Sequence, residues 1–366
     1  MKSFYFTVFC LLFLCVSCSR EHEVIIVHES VPQLEEIPEN AFKEAEIPKV
    51  SIITYHRISS AITNDMTITP ELFRRHMSFL AKNNYTTITM DQWCATVLDG
   101  KPLPDKPIII TFDDAWISQY NNAIPILNKF GFKATFYAYT DVIGNKSTMT
   151  YKQLRSLIRQ GHNVGCHSAA HSNLAKPSKT ENEKMYRRRL INETINAKKT
   201  LEEHLGYRVI HFCYPYGCYD TEVILQLKKS GFVSGVTVNP CPNTIDTPLF
   251  KLGRFVIGPW VKEKGLKYKL AMLPLDYRSA YPYDGEIRTL PTESISIILP
   301  HYNGIRYTRF QMNWKWRKTD SFYDKETKTL AHVFDAPIKT GVYTVQAHAW
   351  DDNSNHYVYA WLFRQK

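Results

Sequence analysis

The sequence predicts an α/β barrel followed by a small all-β module. From about residue 49 to about residue 275, short apolar segments alternate with helical patterns, which is typical of repeated β-α units around a parallel sheet. After about residue 276 the helical patterns stop, and short alternating strands separated by turn residues follow. About seven strands in the first region favour a closed barrel over an open sheet.

The first residues indicate export. A positively charged start precedes an apolar run over residues 4–16, which is too short to span a bilayer. The run ends in a Val-Ser-Cys sequence similar to a bacterial lipobox, with Cys18 as the expected lipidation site, although Cys15 stands where Leu is usual. We therefore predict a lipoprotein signal peptide over 1–18, a Glu- and Pro-rich spacer over 19–48, and a lipid-anchored protein of the bacterial cell envelope, at the outer membrane or the periplasmic face. The alternative is an ordinary cleaved signal and a soluble product.

The barrel is predicted over residues 49–275. Helix predictions depend on apolar residues that recur with the helical period, flanked by capping residues, and strand predictions depend on short β-branched or aromatic runs. Thr69 and Pro70, for example, form the cap and the first position of the first helix. The predicted strands are 50–54, 107–112, 134–139, 163–166, 209–214 and 233–238, and the predicted helices are 70–83, 116–130, 150–160, 180–205 and 222–230.

The all-β module is predicted over residues 294–366, after a linker over 276–293 that contains Tyr, Pro and Gly. Its aromatic residues include Trp314 and Trp316, which alternate and therefore point to the same face of a strand. The module also contains Trp350 and Trp361. We favour Trp314 and Trp316 as part of the core of a small β-sandwich; exposed, they would instead stack on sugar rings. The predicted strands are 294–299, 307–316, 329–334, 341–350 and 356–363.

Composition limits the partners. The formal charge of +10 is moderate, and the densest basic run, residues 187–189, lies in a predicted helix, where a solvated face explains it. Because no nucleic-acid-binding motif accompanies this charge, we predict no nucleic-acid partner. Five cysteines lie beyond the signal, an odd number that leaves at least one thiol unpaired, and we assign them no structural role: Cys94, Cys166, Cys213, Cys218 and Cys241.

The candidate site residues follow the ends of the predicted strands, where the loops of an α/β barrel converge on one mouth. The strand 107–112 delivers two adjacent carboxylates, Asp113 and Asp114. Two like charges side by side require a cation, a proton or solvent for compensation. For the pair alone, the alternative is a solvated turn in which one Asp caps the following helix.

His167 and His171 follow another strand end. Four residues apart, they would lie on one face of a helical turn with side chains about 6 Å apart. Two His and one carboxylate form a set that binds Zn²⁺ or a similar divalent ion and leaves coordination positions open. If Asp114 is that carboxylate, Asp113 stays free as a base. Without this context, the histidine pair would be a polar helix face.

At these residues the chain resembles a known family. Over residues 49–260 it is similar to the polysaccharide deacetylases of carbohydrate esterase family 4. The N-terminal motif is similar to the circularly permuted branch of that family, which acts on poly-β-1,6-N-acetylglucosamine. The resemblance implies a deformed (β/α) barrel of about seven or eight strands. It rests on Ile53-Thr54-Tyr55-His56, Thr111-Phe112-Asp113-Asp114, His167-Ser168-x-x-His171 and Tyr214-Pro215-Tyr216-Gly217.

The resemblance implies a role for each polar residue. Asp113 would be the catalytic base, and His56 would be the general acid. Asp114, His167 and His171 would bind one divalent metal ion, most simply zinc, with cobalt, nickel or iron also suited to the set.

The Pro-Tyr motif would complete the pocket. The backbone N–H of Tyr216 would help to hold the oxyanion, and Pro215 would shape the pocket. Tyr55 and Tyr214, beside these motifs, are predicted to contact the substrate as well.

The chain departs from the family pattern in two places. The usual Arg before the Pro-Tyr motif is missing, and no Asp-x-x-Asp-Trp motif is evident. Arg254 is predicted to supply the missing cation near the base. His301, in a Leu-Pro-His sequence of the β module, is a second candidate acid that we rank below His56.

The residues and the resemblance together predict hydrolysis of acetamide groups on an N-acetylglucosamine-containing polysaccharide. That reaction needs a base for water, a group that stabilises the oxyanion, and an acid for the leaving amine, and the chain offers a candidate for each. Two alternatives stay open. One is an O-acetyl esterase acting on xylan or peptidoglycan, and the other is a carbohydrate-binding protein that has lost catalysis.

Overall fold

The computed structural model describes residues 49–61, 64–300, 305–312 and 321–366. The predicted signal and spacer, with Cys18, lie outside these residues, as do His301, Trp314 and Trp316. The described part of the first region contains strands and helices in alternation: β1 Ser51–Tyr55, β2 Arg57–Ile58, β3 Thr67–Ile68, α1 Pro70–Lys82, β4 Thr86–Ile88, α2 Met90–Asp99, β5 Pro107–Phe112, α3 Ile124–Phe130, β6 Thr135–Ala138, α4 Tyr151–Arg159, β7 Asn163–Cys166, α5 Glu183–Ile191, α6 Ala197–Leu205, β8 His211–Cys213, α7 Thr221–Lys229, β9 Ser234–Val236, β10 Phe255–Val256 and α8 Glu263–Ala271.

Eight of these strands form one parallel sheet, which matches the predicted α/β barrel architecture. Its order is β10-β1-β5-β6-β7-β8-β9, and β4 also pairs with β5. The segment 252–256 connects the two ends of this order: Leu252 forms a parallel bridge to Val236 of β9, and three residues later Phe255 pairs with Ile53 of β1. The strands are buried on both sides, as unbroken apolar runs such as Ile108-Ile109-Ile110 predict.

Most predicted helices are present, with differences that have local causes. Thr69 caps α1, as predicted, because its hydroxyl accepts the N–H of Leu72. The predicted helix 116–130 consists of a π-helical turn, Gln119–Ala123, followed by α3. The predicted helix 180–205 begins later, after the cap Asn182, and contains a second π-helical turn between α5 and α6. The elements β4, α2, β10 and α8 are short or weakly periodic and are not predicted.

The C-terminal part is all β, as predicted. Its strands form a five-stranded sheet (β11, β13, β15, β18 and β19) and a four-stranded sheet (β12, β14, β16 and β17). Side chains from both sheets share one apolar core, which includes Ile297, Phe310 and Trp361. The strands are β11 Leu273–Pro274, β12 Ser279–Tyr281, β13 Ile287–Arg288, β14 Ser294–Ile298, β15 Ile305–Met312, β16 Phe322–Asp324, β17 Thr329–Val333, β18 Gly341–Asp351 and β19 His356–Gln365.

The last strand, β19, belongs to two cores. Val358, Ala360 and Leu362 pack into the core of the first region, whereas Trp361 and Phe363 lie in the core between the two C-terminal sheets. Strand alternation produces this division, because successive side chains point to opposite faces. The C-terminal sheets are therefore packed against the barrel rather than merely attached to it by a linker.

All five cysteines of the described residues are free thiols. Four of them are buried, and burial raises the pKa of the Cys94, Cys166 and Cys241 thiols to between about 11 and about 12. Within the described part of the chain, no helix is both long and apolar enough to cross a membrane.

Candidate active site

The candidate residues meet at the carboxyl ends of neighbouring strands. β1 leads to His56, β5 to Asp113 and Asp114, and β7 to His167. Gln119, which is fully buried, ties two of these ends together: its amide donates to the backbone carbonyls of His56 and Asp113, at 2.8 and 2.6 Å. Nothing in the sequence alone identifies Gln119 as part of the site.

Asp113 is buried and paired with Arg254. The two carboxylate oxygens accept from the two terminal nitrogens of the guanidinium, at 2.7 and 2.9 Å. This bidentate geometry is the strongest form of an Arg–carboxylate pair. The structure thus places the Arg254 side chain where the sequence predicts a substitute for the missing Arg.

The partners of Arg254 hold its guanidinium in place. Its Nε donates to the Thr237 carbonyl at 2.7 Å, and Nη1 donates to the hydroxyls of Thr54 and Thr111. Burial alone would raise the pKa of the Asp113 carboxyl, but the Arg254 guanidinium, with smaller contributions from neighbouring histidines, holds that pKa well below its usual range. Asp113 is therefore a carboxylate at any pH near neutrality.

His56 lies on the open side of Asp113. Its Nε2 is 3.7 Å from Asp113 Oδ2, and 17 % of its side chain is exposed. A carboxylate oxygen has lone pairs beyond the one that Arg254 occupies, so this edge of Asp113 can accept a further proton donor. The His56 imidazole and the Asp113 carboxylate therefore lie side by side at the mouth.

Asp114 faces the two other histidines. Its Oδ1 lies 3.6 Å from Nε2 of His167 and 3.6 Å from Nε2 of His171, while the Trp116 indole N–H donates to Oδ2 at 3.1 Å. The Trp116 bond fixes the carboxylate so that Oδ1 is directed at the histidines. The three ligand atoms lie within 4.8 Å of one another, which is compact enough for a single cation.

The expected helical turn between the two histidines is wrong. Residues 167–172 form an irregular loop, and the His167 and His171 rings meet edge to face with centroids 4.6 Å apart. The backbone takes a left-handed conformation at Ser168 (φ 71°) and at His171 (φ 57°). The spacing of four residues therefore brings the rings together through a loop, not through a helix face.

The tautomer of His167 suits a metal ligand. Its Nδ1 lies 2.8 Å from the Cys213 carbonyl, an acceptor, so Nδ1 carries the proton and Nε2 offers a lone pair towards Asp114. Burial lowers the pKa of His167 to about 4, against the opposing effect of Asp113 and Asp114. The ring is therefore neutral near pH 7, the form in which imidazole binds a metal. Asp114, His167 and His171 fit a divalent cation by donor type and spacing.

Glu193 holds the loop that carries these histidines. One oxygen of its buried carboxylate accepts the backbone N–H groups of Ala169 and Ala170, both at 3.0 Å, and the other accepts the Ser172 hydroxyl at 2.8 Å. Glu193 lies in the π-helical turn after α5. Nothing in the sequence marks this residue as part of the site, because a single Glu in a strongly charged helix gives no signal of burial.

Left-handed backbone is concentrated at the mouth. Five of the nine positive-φ residues other than glycine in the described chain belong to the site loops, namely Asp114, Ala115, Ser168, His171 and Tyr216. Such conformations cost of order 1 kcal/mol or more each for residues with a side chain, and they persist where surrounding contacts impose them. The fold thus maintains strain at the positions that orient the metal-ligand candidates.

The Pro-Tyr motif lies beside His171. Tyr216 takes a left-handed conformation (φ 59°), the residue is 62 % exposed, and its ring centroid is 4.8 Å from that of His171. The following Gly217 has φ +69°, and a Cβ there would collide with Val238, so this turn requires glycine. Pro215 is buried beneath the turn.

Two predicted substrate contacts are not at the mouth. Tyr55 and Tyr214 are both completely buried. The Tyr55 hydroxyl is 3.1 Å from His76 Nδ1, and the Tyr214 hydroxyl donates to the Phe250 carbonyl at 2.9 Å. Because the strands alternate, these side chains point into the packed interior and support the fold rather than touch a substrate.

A second group of possible metal ligands already has a positively charged side chain beside it. Asp113, His167 and Cys213 also lie within 4.8 Å of one another. Here the Arg254 guanidinium is bonded to Asp113 and donates to Cys213 Sγ at 3.1 Å, so a permanent cation occupies the position. Of the two groups, only Asp114, His167 and His171 lack a cation from the described chain within bonding distance.

Residues 100–235 match the family model for "Polysaccharide deacetylase". These residues carry the polysaccharide deacetylase domain. A Bacillus subtilis protein named "Putative polysaccharide deacetylase YxkH" is 28 % identical over 228 residues, which cover 62 % of this chain and 78 % of that protein. The poly-β-1,6-N-acetyl-D-glucosamine N-deacetylase of Staphylococcus aureus is 23 % identical over 251 residues, covering 64 % of this chain and 86 % of the relative.

A solved structure supports the family fold. The deacetylase PplD of Streptococcus pyogenes, in complex with acetate, superposes with a TM-score of 0.56 at 23 % identity. The superposition covers 61 % of this chain and 98 % of PplD. The parallel sheet and its helices therefore have the architecture of the deacetylase barrel, and the C-terminal sheets are additional to it.

Proposed function

We propose that the protein is a divalent-metal-dependent hydrolase that removes acetyl groups from the amide nitrogens of an N-acetylglucosamine-containing polysaccharide. One observation carries the proposal: the two adjacent carboxylates have different partners. Asp113 is paired with Arg254, whereas Asp114 is grouped with His167 and His171. The staphylococcal relative, named for its action on poly-β-1,6-N-acetylglucosamine, supports the choice of polymer.

Asp114, His167 and His171 would hold the cation. A divalent cation at such a site lowers the pKa of water and polarises a carbonyl oxygen. This help matters here, since the low pKa of Asp113 makes its carboxylate a weak base for free water. Asp113 would take a proton from the attacking water through the lone pairs that Arg254 leaves free.

His56 would give a proton to the leaving nitrogen. Hydrolysis of an acetamide expels an amine, which leaves only when protonated, and the partly exposed imidazole of His56 lies 3.7 Å from the Asp113 carboxylate. The backbone N–H of Tyr216, beside His171, would donate to the oxyanion. Each proton or charge movement thus has a group from this chain.

The position of Arg254 weighs against a binding protein without catalysis. That alternative was motivated by the missing Arg and the missing Asp-x-x-Asp-Trp motif. Arg254, 141 residues from Asp113 in the sequence, supplies a guanidinium to Asp113 in place of the first. An O-acetyl esterase would use the same groups, but it would not need His56, because an alkoxide leaving group is far less basic than an amide anion.

The test is an acetate-release panel with metal-stripped protein and protein reloaded with Zn²⁺, Co²⁺, Ni²⁺ or Fe²⁺. Substrates are β-1,6-linked and β-1,4-linked N-acetylglucosamine oligomers, peptidoglycan fragments and O-acetylated xylan. We expect acetate from the N-acetylated oligomers only after reloading. Release from O-acetyl groups alone would establish the esterase, and glycan binding with no acetate from any substrate would establish the binding protein.

We also propose that Cys18 anchors the protein to a membrane of the bacterial cell envelope through a lipid. Support comes from the apolar run and the small residues that precede this cysteine. Labelled palmitate should be incorporated into the wild type and not into Cys18→Ala. Equal labelling, or no labelling of either, would remove the anchor from the proposal.

A further inference from the structure

Trp260 is an exposed indole at the rim of the mouth, on the side of His56. β10 runs parallel to β1, with Phe255 level with Ile53 and Val256 level with Thr54. The pairing continues past the strand, because the Ile257 N–H donates to the Thr54 carbonyl at 3.0 Å. Gly258 therefore lies next to the strand end that carries His56, at the spacing of adjacent strands, about 4.8 Å.

The indole packs against this glycine. A Cβ added to Gly258 would collide with the six-membered ring of Trp260, so the ring lies directly over the Gly258 backbone. The turn 258–261 is fixed at both ends. The Val261 N–H donates to the Gly258 carbonyl at 3.0 Å, and the buried Val261 offers its own carbonyl to His76. Pro259 adds a rigid φ to the same turn.

Part of the ring is covered by Gly258, and much of the rest is open to solvent. Trp260 is 58 % exposed even though its ring rests on the chain. An apolar ring with a free face, fixed in orientation, is the side chain that stacks on the C–H face of a sugar at low entropic cost. A single tryptophan held over a glycine at the catalytic mouth has no evident role in the barrel core.

We propose that Trp260 is a stacking platform for a neighbouring sugar of the polymer, next to the one whose acetamide reacts. The proposal deepens the proposed function and rests on it. The acetylated sugar lies between the Asp114–histidine group and His56, and the chain of sugars continues over Trp260. The platform recognises length, since a single N-acetylglucosamine does not reach it.

The test compares Trp260→Ala, Trp260→Phe and Gly258→Ala in the full chain, each combined with Asp113→Asn so that binding is measured without turnover. Gly258→Ala keeps the indole but displaces the ring, and Gly258 does not lie in the left-handed region, so alanine is tolerated by the backbone. Phe322→Ala is the matched control, because Phe322 is 54 % exposed in β16 of the C-terminal sheets. The probes, used in titration calorimetry, are the N-acetylglucosamine monomer and the β-1,6-linked hexamer.

We expect Trp260→Ala and Gly258→Ala to weaken hexamer binding about tenfold, which corresponds to ~1.4 kcal/mol. Trp260→Phe should keep most of the affinity, and Phe322→Ala should leave it unchanged. Acetate release from the monomer by the single variant Trp260→Ala should stay within about twofold of wild type, as expected for a group outside the reacting centre.

Three outcomes overturn the platform: hexamer affinity unchanged by Trp260→Ala, an equal loss for monomer and hexamer, or no hexamer binding by the Asp113→Asn parent. Failure of the proposed function gives a different pattern. In that case the wild type binds the hexamer through Trp260 and releases no acetate with any metal.

Discussion

The mouth has two halves, one around Asp113 and one around Asp114, and the negative charge of the carboxylate is compensated differently in each. Asp113 has 3 % of its side chain exposed, and its countercharge, Arg254, is part of the chain. Asp114 has 17 % of its side chain exposed and faces two histidines, one of them neutral by burial. The Asp113 carboxylate therefore has its countercharge without any ligand, whereas the Asp114 carboxylate is arranged to bind a cation from solution. Adjacent residues in sequence are assigned to separate tasks by partners from distant strands.

The strongest test of this comparison exchanges the two carboxylates one at a time for amides. Loss of a general base costs roughly 10²- to 10⁴-fold, so acetate release should fall at least about 100-fold in Asp113→Asn, and Asp114→Asn should lose as much through loss of the metal. Metal content, measured by mass spectrometry after dialysis, should stay near wild type in Asp113→Asn and fall in Asp114→Asn. Equal metal loss in both variants would show that the two carboxylates share one cation.

A second test separates the acid from the base. His56→Gln should lower acetate release from an N-acetylated oligomer about 100-fold, because the amine leaves only after protonation. The same variant should hydrolyse an aryl acetate within about threefold of wild type, since a phenolate needs no proton. Asp113→Asn, by contrast, should lose both activities. A parallel loss of amide and aryl ester hydrolysis in His56→Gln would place His56 with the base instead.

The third test concerns the countercharge itself. Lysine keeps the charge of Arg254 but not the paired hydrogen bonds, so the pKa of the buried Asp113 carboxyl should rise. In Arg254→Lys, the acid limb of the pH profile of kcat/KM should move to higher pH, with about a tenfold loss near neutrality.

The sign for stability follows from the same pKa. In the wild type the folded-state pKa of Asp113 is below the unfolded value of about 3.9, so the pair stabilises the fold at higher pH and this contribution is lost as the pH falls below that value. Urea unfolding between pH 3 and pH 7 should therefore be less pH-dependent in Arg254→Lys. Arg364→Lys is the control, because Arg364 is also buried and pairs with Asp220 at 2.9 Å, away from the mouth. It should change stability without moving the acid limb.

The ease of prediction also differs between the two halves. Asp114, His167 and His171 come from short motifs at strand ends, and strand ends are visible in the sequence as apolar runs. Arg254 is 141 residues from its partner, and β10, which precedes the Trp260 turn, is two residues long. Such a pairing depends on how the sheet closes, which no local pattern encodes.

The supporting residues are the least predictable. Glu193 and Gln119 bind backbone groups, so their partners leave no complementary side chain in the sequence. The loop between the histidines shows the same limit: its spacing suits a helical turn, but the contacts of Glu193 and Ser168 favour a left-handed loop instead. In the C-terminal sheets the long strands alternate clearly and are predicted, whereas β12, β13 and β16 are too short to show a period.

The variant with the smallest expected effect tests whether the Asp114 half of the mouth depends on the loop 167–172, which carries the two histidines. Glu193→Gln removes the charge from three hydrogen bonds and should weaken metal binding about tenfold, the usual range for a group that orients ligands without touching the metal. At saturating metal, kcat should be nearly unchanged, because the hydrogen bonds of Glu193 are to the histidine loop and not to Asp113 or Arg254. Glu183→Gln is the matched control: Glu183 lies on α5, the helix just before Glu193, with 76 % of its side chain exposed and paired only with Arg187 in the described contacts. An unchanged metal Kd in Glu193→Gln, or an equal change in Glu183→Gln, would mean that the strained backbone alone holds the histidines in place.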